Sequence, residues 1–312
     1  MSGRLIVYFV LLSAAWGSSF LFTKLGAQEF GVVAAAFLRV GIGALFLLPA
    51  FLVPRIRRDF QRKALPILFS GMLNSGLPFA LYAFAVMHIS TGLTSILNAT
   101  VPLIGAVIAW WWLKDRPDNA RIAGLLIGMV GVVLLVLFRS TSGPLLPTGD
   151  TAAAENHDLM AMLAMLACIG ATTCYGFAAS FTKRYLQDVH PLSVSSGSLV
   201  GASLLLSVPA WFTWPDAMPS MQAWGALAVV GIVCTGLAYV LFFSIIQTAG
   251  PAKALTVTFV VPVFALFYGV VFLGETVNLG TLLCGLVIVC GVALATGIWK
   301  PRRLLATTQP RQ

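Results

Sequence analysis

The chain alternates between long apolar stretches and short polar connections. Ten apolar segments each approach the roughly 20 residues that a helix needs to cross the hydrocarbon core of a bilayer. They cover residues 5–23, 31–53, 65–87, 92–113, 121–138, 159–181, 191–212, 223–246, 252–273 and 279–299. The pattern predicts an all-α, polytopic membrane protein with ten transmembrane helices.

The first apolar segment also has features of a cleaved leader. Arg4 precedes it, and Ser13-Ala14-Ala15 resembles a small-residue cleavage site. The apolar stretch nevertheless continues to about residue 23, and its second half recurs later in the chain. We therefore interpret this segment as a retained first helix.

Composition agrees with a membrane environment. Hydrophobic residues make up 59% of the chain and charged residues only 9%, whereas a soluble domain carries about 25% charged residues. The net charge of +9 does not indicate nucleic-acid binding, because the basic residues lie between apolar runs and not on one polar face. The five cysteines lie inside apolar segments without a CxxC motif, which favours packing over metal or disulfide roles.

The distribution of lysine and arginine predicts the orientation. With the N-terminus in the cytoplasm, sixteen of these residues fall on the cytoplasmic side, and only Lys24 and Arg139 fall outside. Such an excess of positive charge is typical of cytoplasmic loops. Ten crossings then place both termini in the cytoplasm.

The two halves of the chain are related by an internal repeat. A shift of 160 residues aligns Gly71 with Gly231 and Val101-Pro102 with Val261-Pro262, and a shift of 159 aligns Trp16-Gly17 with Tyr175-Gly176. Each repeat holds five predicted helices, so the second must be inverted relative to the first. Inverted repeats recur in transporters, which hold their substrate near the midplane between the repeats.

This duplication predicts the organisation of the chain. Residues 1–138 form the first five-helix repeat, 139–158 an external polar linker, 159–299 the second, inverted repeat, and 300–312 a cytoplasmic tail.

Several short motifs resemble the drug/metabolite transporter superfamily, in particular the EamA-type bacterial branch. They are Trp16-Gly17, Phe22-Thr23-Lys24, Phe37-Leu38-Arg39, the prolines of the fourth and ninth helices, Leu273-Gly274-Glu275, and the glycine-rich fifth and tenth helices. The resemblance covers roughly residues 5–299. It implies an inner-membrane carrier, often an exporter of amino acids or related metabolites. It also implies a central cavity lined mainly by the first, third, fourth, sixth, eighth and ninth helices, with the fifth and tenth peripheral.

Polar and aromatic residues near mid-membrane are the candidate substrate-binding groups. Trp16 and Tyr175 occupy equivalent positions in the two repeats and are hypothesised to face the cavity as a pair, the alternative being close packing beside Gly17 and Gly176. The other candidates lie in the third, fourth, eighth and ninth helices. They are Asn74, Tyr82, Asn98, Tyr239, Thr258 and Tyr268.

Three residues are candidates for gating or structural roles. Arg39 lies inside the second helix, where an arginine costs roughly 2.5–3.5 kcal/mol on insertion scales. Three interpretations stay open for it: pairing within a gate, contact with a substrate carboxylate, or snorkelling to the interface. Pro102 and Pro262 are expected to kink two helices at equivalent depth and to free backbone carbonyls towards the cavity.

The positions of acidic residues and glycines give further predictions about the transport mechanism and the helix packing. No Asp or Glu lies at the centre of a predicted helix, which disfavours a carboxylate proton relay and favours facilitated or exchange transport. Asp115 and Glu275 stand at equivalent positions beyond the fourth and ninth helices and are interpreted as interfacial or capping groups. The glycine stripe 124–131 of the fifth helix predicts close helix packing, either within the chain, which we favour, or between subunits.

The sequence therefore predicts a secondary transporter that moves small metabolites, such as amino acids, by alternating access and in the direction of export. The alternatives are a broad efflux carrier for aromatic or cationic compounds and a membrane protein without transport activity. We expect a small-molecule substrate and a lipid bilayer as partners, with no nucleic acid, no metal, no cofactor and no enzymatic activity. A homodimer is compatible with the sequence.

Overall fold

The computed structural model describes residues 3–141, 151–249 and 257–295. These residues form helices and no strands. In chain order the α-helices are α1 (Gly3–Phe30), α2 (Val32–Leu47), α3 (Pro54–Arg62), α4 (Ala64–Gly71), α5 (Leu77–His88), α6 (Thr91–Asn98), α7 (Val101–Leu113), α8 (Asn119–Thr141), α9 (Thr151–Tyr185), α10 (Pro191–Phe212), α11 (Met221–Gly231), α12 (Ala238–Ala249), α13 (Val257–Leu273) and α14 (Leu279–Ala295). A 3₁₀ turn, Leu48–Leu52, extends α2.

The predicted all-α membrane fold is confirmed. Over the described ranges, seven helical spans are long and apolar enough to cross a membrane, and three shorter apolar helices cover Asn119–Leu135, Val257–Leu273 and Leu279–Ala295. Large apolar side chains point outwards, among them Leu65 at 80% exposure and Trp211 at 81%. Water would penalise such a surface, whereas lipid would not. The number of crossings stays a prediction.

Two π-helical segments interrupt the third and eighth predicted helices. Met72–Gly76 joins α4 to α5, and Ile232–Leu237 joins α11 to α12. Their first residues are 160 positions apart (232 minus 72), which is the repeat shift itself. π-Helical turns are rare and occur frequently at functional sites. The interruption is therefore a shared feature of the two halves.

The two repeat-equivalent prolines, Pro102 and Pro262, have different structural settings. The fourth predicted helix divides into α6 and α7, and Pro102 occupies the first turn of α7, where its missing N–H has no helical partner to lose. Pro262 instead lies inside α13. The expected kink is therefore a break between two helices in the first half, and an internal proline in the second.

The glycine stripe of α8 packs within the chain, as the sequence indicates. A Cβ on Gly124 would meet the backbone of Ala295 and Gly291, and one on Gly131 would meet Ile288. α8 and α14 thus form the most extensive helix pair among the described elements. Neither helix contributes to the cavity described below.

Some boundaries differ from the sequence prediction. α8 extends to Thr141 and α9 begins at Thr151, so both helices continue into the range predicted as a linker. Residues 142–150, Lys253 and the predicted tail lie outside the described residues. The basic connection after α2 contains the additional helix α3, which follows from its amphipathic pattern: Ile56 is 3% exposed, while its arginines face outwards.

Helix contacts between the halves are reciprocal. α1 packs against α13, and its repeat equivalent α9 packs against α7. In the same way α2 and α10, which are equivalent, pack against each other. This arrangement leaves a central space between α1 and α9, around which the candidate site is built.

Candidate functional site

A cavity of about 600 Å³ lies between the two halves. This volume falls within the range of small-molecule sites. Its walls come from the first to fourth predicted helices and from the sixth to ninth, so the second and seventh join the six that the family resemblance implied. A second hollow of similar volume lies at the exposed end of α7, beside Trp110 and Trp111. Of these two hollows in the described part of the chain, the central cavity is the one bounded by both halves.

The cavity wall itself repeats. Four residues of α1, at the i, i+3, i+4 and i+7 spacing of one helical face, line it, and so do their four equivalents on α9. Five further equivalent pairs come from the other helices. The nine pairs are Trp16/Tyr175, Ser19/Ala178, Phe20/Ala179, Thr23/Thr182, Asn74/Cys234, Phe79/Tyr239, Tyr82/Phe242, Asn98/Thr258 and Val101/Val261.

Aromatic rings form much of this wall. Tyr82 stacks on Tyr175 with ring centroids 6.2 Å apart and meets Phe20 edge-on at 5.9 Å. Trp16 lies 5.3 Å from Phe242. These separations are typical of favourable aromatic pairs. The contacts hold the rings in defined orientations around the cavity.

Polar groups are set among the rings. The Tyr82 hydroxyl donates to Asn98 Oδ1 at 2.9 Å. Asn74, on the first π-helical segment, donates to the Tyr239 hydroxyl at 3.4 Å. A small number of polar groups at fixed positions in an aromatic cavity is typical of a site that orients a small polar molecule.

Arg39 brings a positive charge to the cavity wall. It is 8% exposed, and its guanidinium carbon lies 3.7 Å from the centroid of the Phe79 ring. Its Nε donates to Thr235 Oγ1 at 3.3 Å, and its Nη1 donates to Thr23 Oγ1 at 3.4 Å. Both acceptors are neutral hydroxyls, so the charge of Arg39 is solvated by dipoles and a ring face.

The open and closed ends of the cavity are distinguished by packing. At the ends of α9 and α10 that meet, the lining continues through the connecting residue Gln187, which is exposed, to Pro191 and Ser195 of α10. The equivalent end of α1 and α2 is filled by an apolar cluster. Its buried members are Ala27, Phe30, Ala34, Ala35, Ala223 and Leu227. The cavity therefore reaches the surface at the α9–α10 end.

Two ion pairs occupy equivalent places at these ends. Lys24 Nζ lies 3.2 Å from Glu275 Oε1, with side chains 22% and 11% exposed. Glu275 also accepts from the backbone N–H of Thr91 at 2.9 Å and from its hydroxyl at 2.9 Å, which caps the start of α6. The equivalent pair, Lys183 with Asp115, has the same 3.2 Å separation but side chains 64% and 48% exposed. The less exposed pair is at the closed end.

Seven of the eight predicted substrate-binding residues line the cavity. They are Trp16, Asn74, Tyr82, Asn98, Tyr175, Tyr239 and Thr258. The eighth, Tyr268, does not line it and packs instead against Phe264, Phe267 and Phe272. Arg39 lines the cavity, while Pro102 and Pro262 are absent from the wall although the valine before each contributes.

Other wall residues were missing from the sequence prediction. Phe20 lies four residues after Trp16, so helical spacing points to it. Phe79 and Phe242 are the repeat equivalents of two predicted tyrosines. Applying the repeat alignment to each candidate would have found them. The π-helical turns have no sequence signal of this kind.

Comparison with known proteins assigns a family. The profile of the EamA-like transporter family matches the chain twice, over residues 3–137 and 162–297. The chain belongs to the EamA-like transporter family. The predicted resemblance to drug/metabolite transporters is thus confirmed, and one family domain falls in each half of the chain.

Named relatives agree with this assignment. The EamA-like chain is 24% identical to the uncharacterized transporter YoaV of Bacillus subtilis over 304 residues, 96% of this chain and 99% of the relative. It is 29% identical to the threonine/homoserine exporter RhtA of Salmonella typhimurium over 262 residues, 83% of this chain and 78% of the relative. A crystal structure of a protein with 18% identity covers 97% of the chain with a TM-score of 0.65, which shows the same fold.

These relatives support a membrane transporter of small metabolites. A multi-pass membrane protein with a small-molecule substrate and a bilayer environment follows from the same findings.

Proposed function

We propose that this EamA-like protein is a secondary transporter that exports small metabolites, amino acids or related compounds, across the cell inner membrane by alternating access. The observation that carries the proposal is the cavity wall, to which the two halves contribute nine equivalent pairs of residues. Equivalent halves can exchange the open and closed roles, so that two states facing opposite sides have similar energies.

The unequal ion pairs support the same mechanism. The Lys24–Glu275 pair is partly buried at the closed end, and the Lys183–Asp115 pair is exposed at the open end. An exchange of conformations between the halves would bury the second pair and expose the first. We infer that each pair closes one face of the transporter in turn.

A broad efflux carrier for aromatic or cationic compounds is the second candidate. The aromatic wall favours flat or aromatic cargo. Within the described part of the wall, however, the charged residues are Arg39 and Lys183, both positive. Like charges repel in a poorly solvated site, so this wall favours anionic or zwitterionic compounds over cations.

The test is uptake of a labelled metabolite panel into proteoliposomes that contain the purified protein, with and without a pH gradient. We expect saturable flux of at least one amino acid or related metabolite, and accelerated flux when unlabelled substrate is present on the opposite side. A panel of aromatic amines tests the second candidate in the same vesicles. Flux of neither class above protein-free liposomes would overturn the proposed function.

A further inference from the structure

The inference concerns the buried guanidinium of Arg39, and it rests on the proposed transport function. We propose that Arg39 holds the carboxylate of the transported molecule and makes the cavity selective for small carboxylates over matched neutral or cationic compounds. Arg39 is thereby a specificity-determining residue of the transport site.

The first step is the position of the charge. Arg39 is seven residues after the start of α2, which corresponds to about 10 Å of helix. Its side chain turns inwards, because it contacts Thr23 of α1, Thr235 of the second π-helical segment and Phe79 of α5, all of which line the cavity. Snorkelling to the membrane surface is therefore not the arrangement found.

The second step is the missing counter-charge. A guanidinium has five N–H donors and always carries its charge. The two hydrogen bonds that Arg39 donates are 3.3 and 3.4 Å long, and both acceptors are neutral hydroxyls. Over the described ranges no ion pair involves Arg39, and no acidic residue belongs to the cavity wall. Among the described residues, pairing of Arg39 with a carboxylate in a gate is thus not found either.

The third step is the energetic consequence. A buried charge is strongly disfavoured unless a partner of opposite charge or several hydrogen bonds compensate it. The repeat equivalent of Arg39 is Leu199, which is fully buried in an apolar cluster, so the packing of the fold does not demand a cation at this position. A carboxylate that enters the cavity would accept hydrogen bonds from the N–H groups of the Arg39 guanidinium that Thr23 and Thr235 do not use. The planar guanidinium is particularly suited to such paired hydrogen bonds.

The neighbouring groups suit the remainder of such a molecule. The Trp16 and Tyr175 rings offer faces that attract an ammonium group or cover an apolar side chain. Asn74, Asn98 and Thr258 offer amide and hydroxyl groups in the same cavity. The wall therefore has complementary places for the two charged ends of an α-amino acid.

The test uses the full-length protein in proteoliposomes and a labelled amino acid that the wild type transports. Unlabelled acids and their matched primary amides compete for its uptake. We expect the acid to compete at least about tenfold better than its amide in the wild type, in line with the worth of a charged hydrogen bond. In Arg39→Gln this preference should fall to near one, with a rise of about ten- to hundredfold in apparent KM for the acid.

Two variants serve as controls. Arg39→Lys keeps the charge but loses the planar fork, so we expect an intermediate preference for the acid. Arg121→Gln removes the same charge from an exposed site on α8, outside the cavity wall, and should leave the preference unchanged.

The outcomes separate the two proposals. Absence of saturable uptake in the wild type overturns the proposed function. Saturable wild-type uptake with equal competition by acid and amide overturns the role of Arg39 alone. A preference for the acid over the amide that survives in Arg39→Gln would overturn the role of Arg39 in selectivity and leave it a structural residue. Thermal unfolding of each purified variant in detergent verifies that the compared proteins are folded.

Discussion

Trp16 and Tyr175 show how one pair of residues links the repeat to the site. They occupy equivalent positions and both belong to the cavity wall. Their rings pack on different neighbours, Trp16 on Phe242 and Tyr175 on Tyr82. Each side chain thus contributes a surface to the cavity and a contact to the wall behind it.

The first prediction concerns these two residues. Trp16→Ala and Tyr175→Ala should each weaken transport, with a rise in apparent KM of about tenfold, because an aromatic face worth roughly 0.5–1.5 kcal/mol and its buried area are lost. Both variants should still insert into the membrane. Initial uptake rates in proteoliposomes over a range of substrate concentrations provide the measurement.

Tyr268→Ala is the matched control, because that ring lies among phenylalanines outside the cavity wall. Its KM should equal that of the wild type. Unchanged kinetics in both Trp16→Ala and Tyr175→Ala would remove the pair from the transport site.

At the scale of elements, α8 and α14 stabilise the fold without reaching the cavity. Small residues let the two backbones approach closely, which is the usual basis of helix packing in lipid. The approach is so close at Gly124 that even a methyl group would meet the backbone of Gly291 and Ala295. The fifth and tenth predicted helices therefore act as a structural support for the transport core.

The second prediction tests this packing. Gly124→Ala should lower the midpoint of thermal unfolding in detergent, since overpacking costs typically 1–3 kcal/mol. Gly225→Ala is the control, because a Cβ there has open space around it. Its midpoint should match or slightly exceed that of the wild type, as alanine favours the helix. Equal midpoints for both variants would contradict the close-packing interpretation.

At the scale of the whole molecule, the two ion pairs relate local contacts to the direction in which the cavity opens. Lys24 and Glu275 are separated by 251 residues and join α1 to the end of α13, while the carboxylate also caps α6. Loss of the lysine charge removes one link across the closed end and leaves the cap in place. The closed state should then be less favoured.

The third prediction is that Lys24→Met shifts the protein towards the state open at the Lys24 end. Labelling of Ala179→Cys, in a background with the five native cysteines replaced by alanine, reports access to the cavity from each face. A membrane-impermeant maleimide applied at the Lys24 face should label this cysteine about tenfold faster in Lys24→Met than in the protein that retains Lys24. Such a ratio corresponds to a shift of about 1.4 kcal/mol between the two states.

Lys183→Met removes the equivalent lysine at the open end, where the pair is exposed. It should not increase labelling from the Lys24 face, because an exposed ion pair contributes little to the state in which it is exposed. Identical labelling in the two variants would show that the pairs do not control access.

The fourth prediction concerns topology. In the five-plus-five arrangement, the connection after the second helix and the connection between the halves lie on opposite sides of the membrane. Single cysteines at Gln61 and Asn156, both exposed, should therefore react with an impermeant reagent from opposite faces. Reaction from the same face would refute the inverted arrangement of the halves.

Much of the architecture follows from the sequence by itself. Apolar length determines which segments are helical and suited to lipid, because an unpaired backbone cannot cross a bilayer. The repeat shift relates the halves, and seven predicted residues lie on the cavity wall because equivalent positions in a duplicated fold share one environment. The sequence did not distinguish Tyr268 from the tyrosines that line the cavity, because an aromatic residue in an apolar helix can face either the cavity or the lipid.

Only the tertiary structure decided which helix faces meet and which charges find partners. Lys24 meets Glu275 across 251 positions, whereas Arg39 reaches the cavity and meets hydroxyls and a ring. No local pattern encodes these outcomes, because they depend on helix rotation and on the approach of two distant halves. The two π-helical turns also became visible only in the structure, because the helical period of an apolar segment does not show where the helix admits an extra residue.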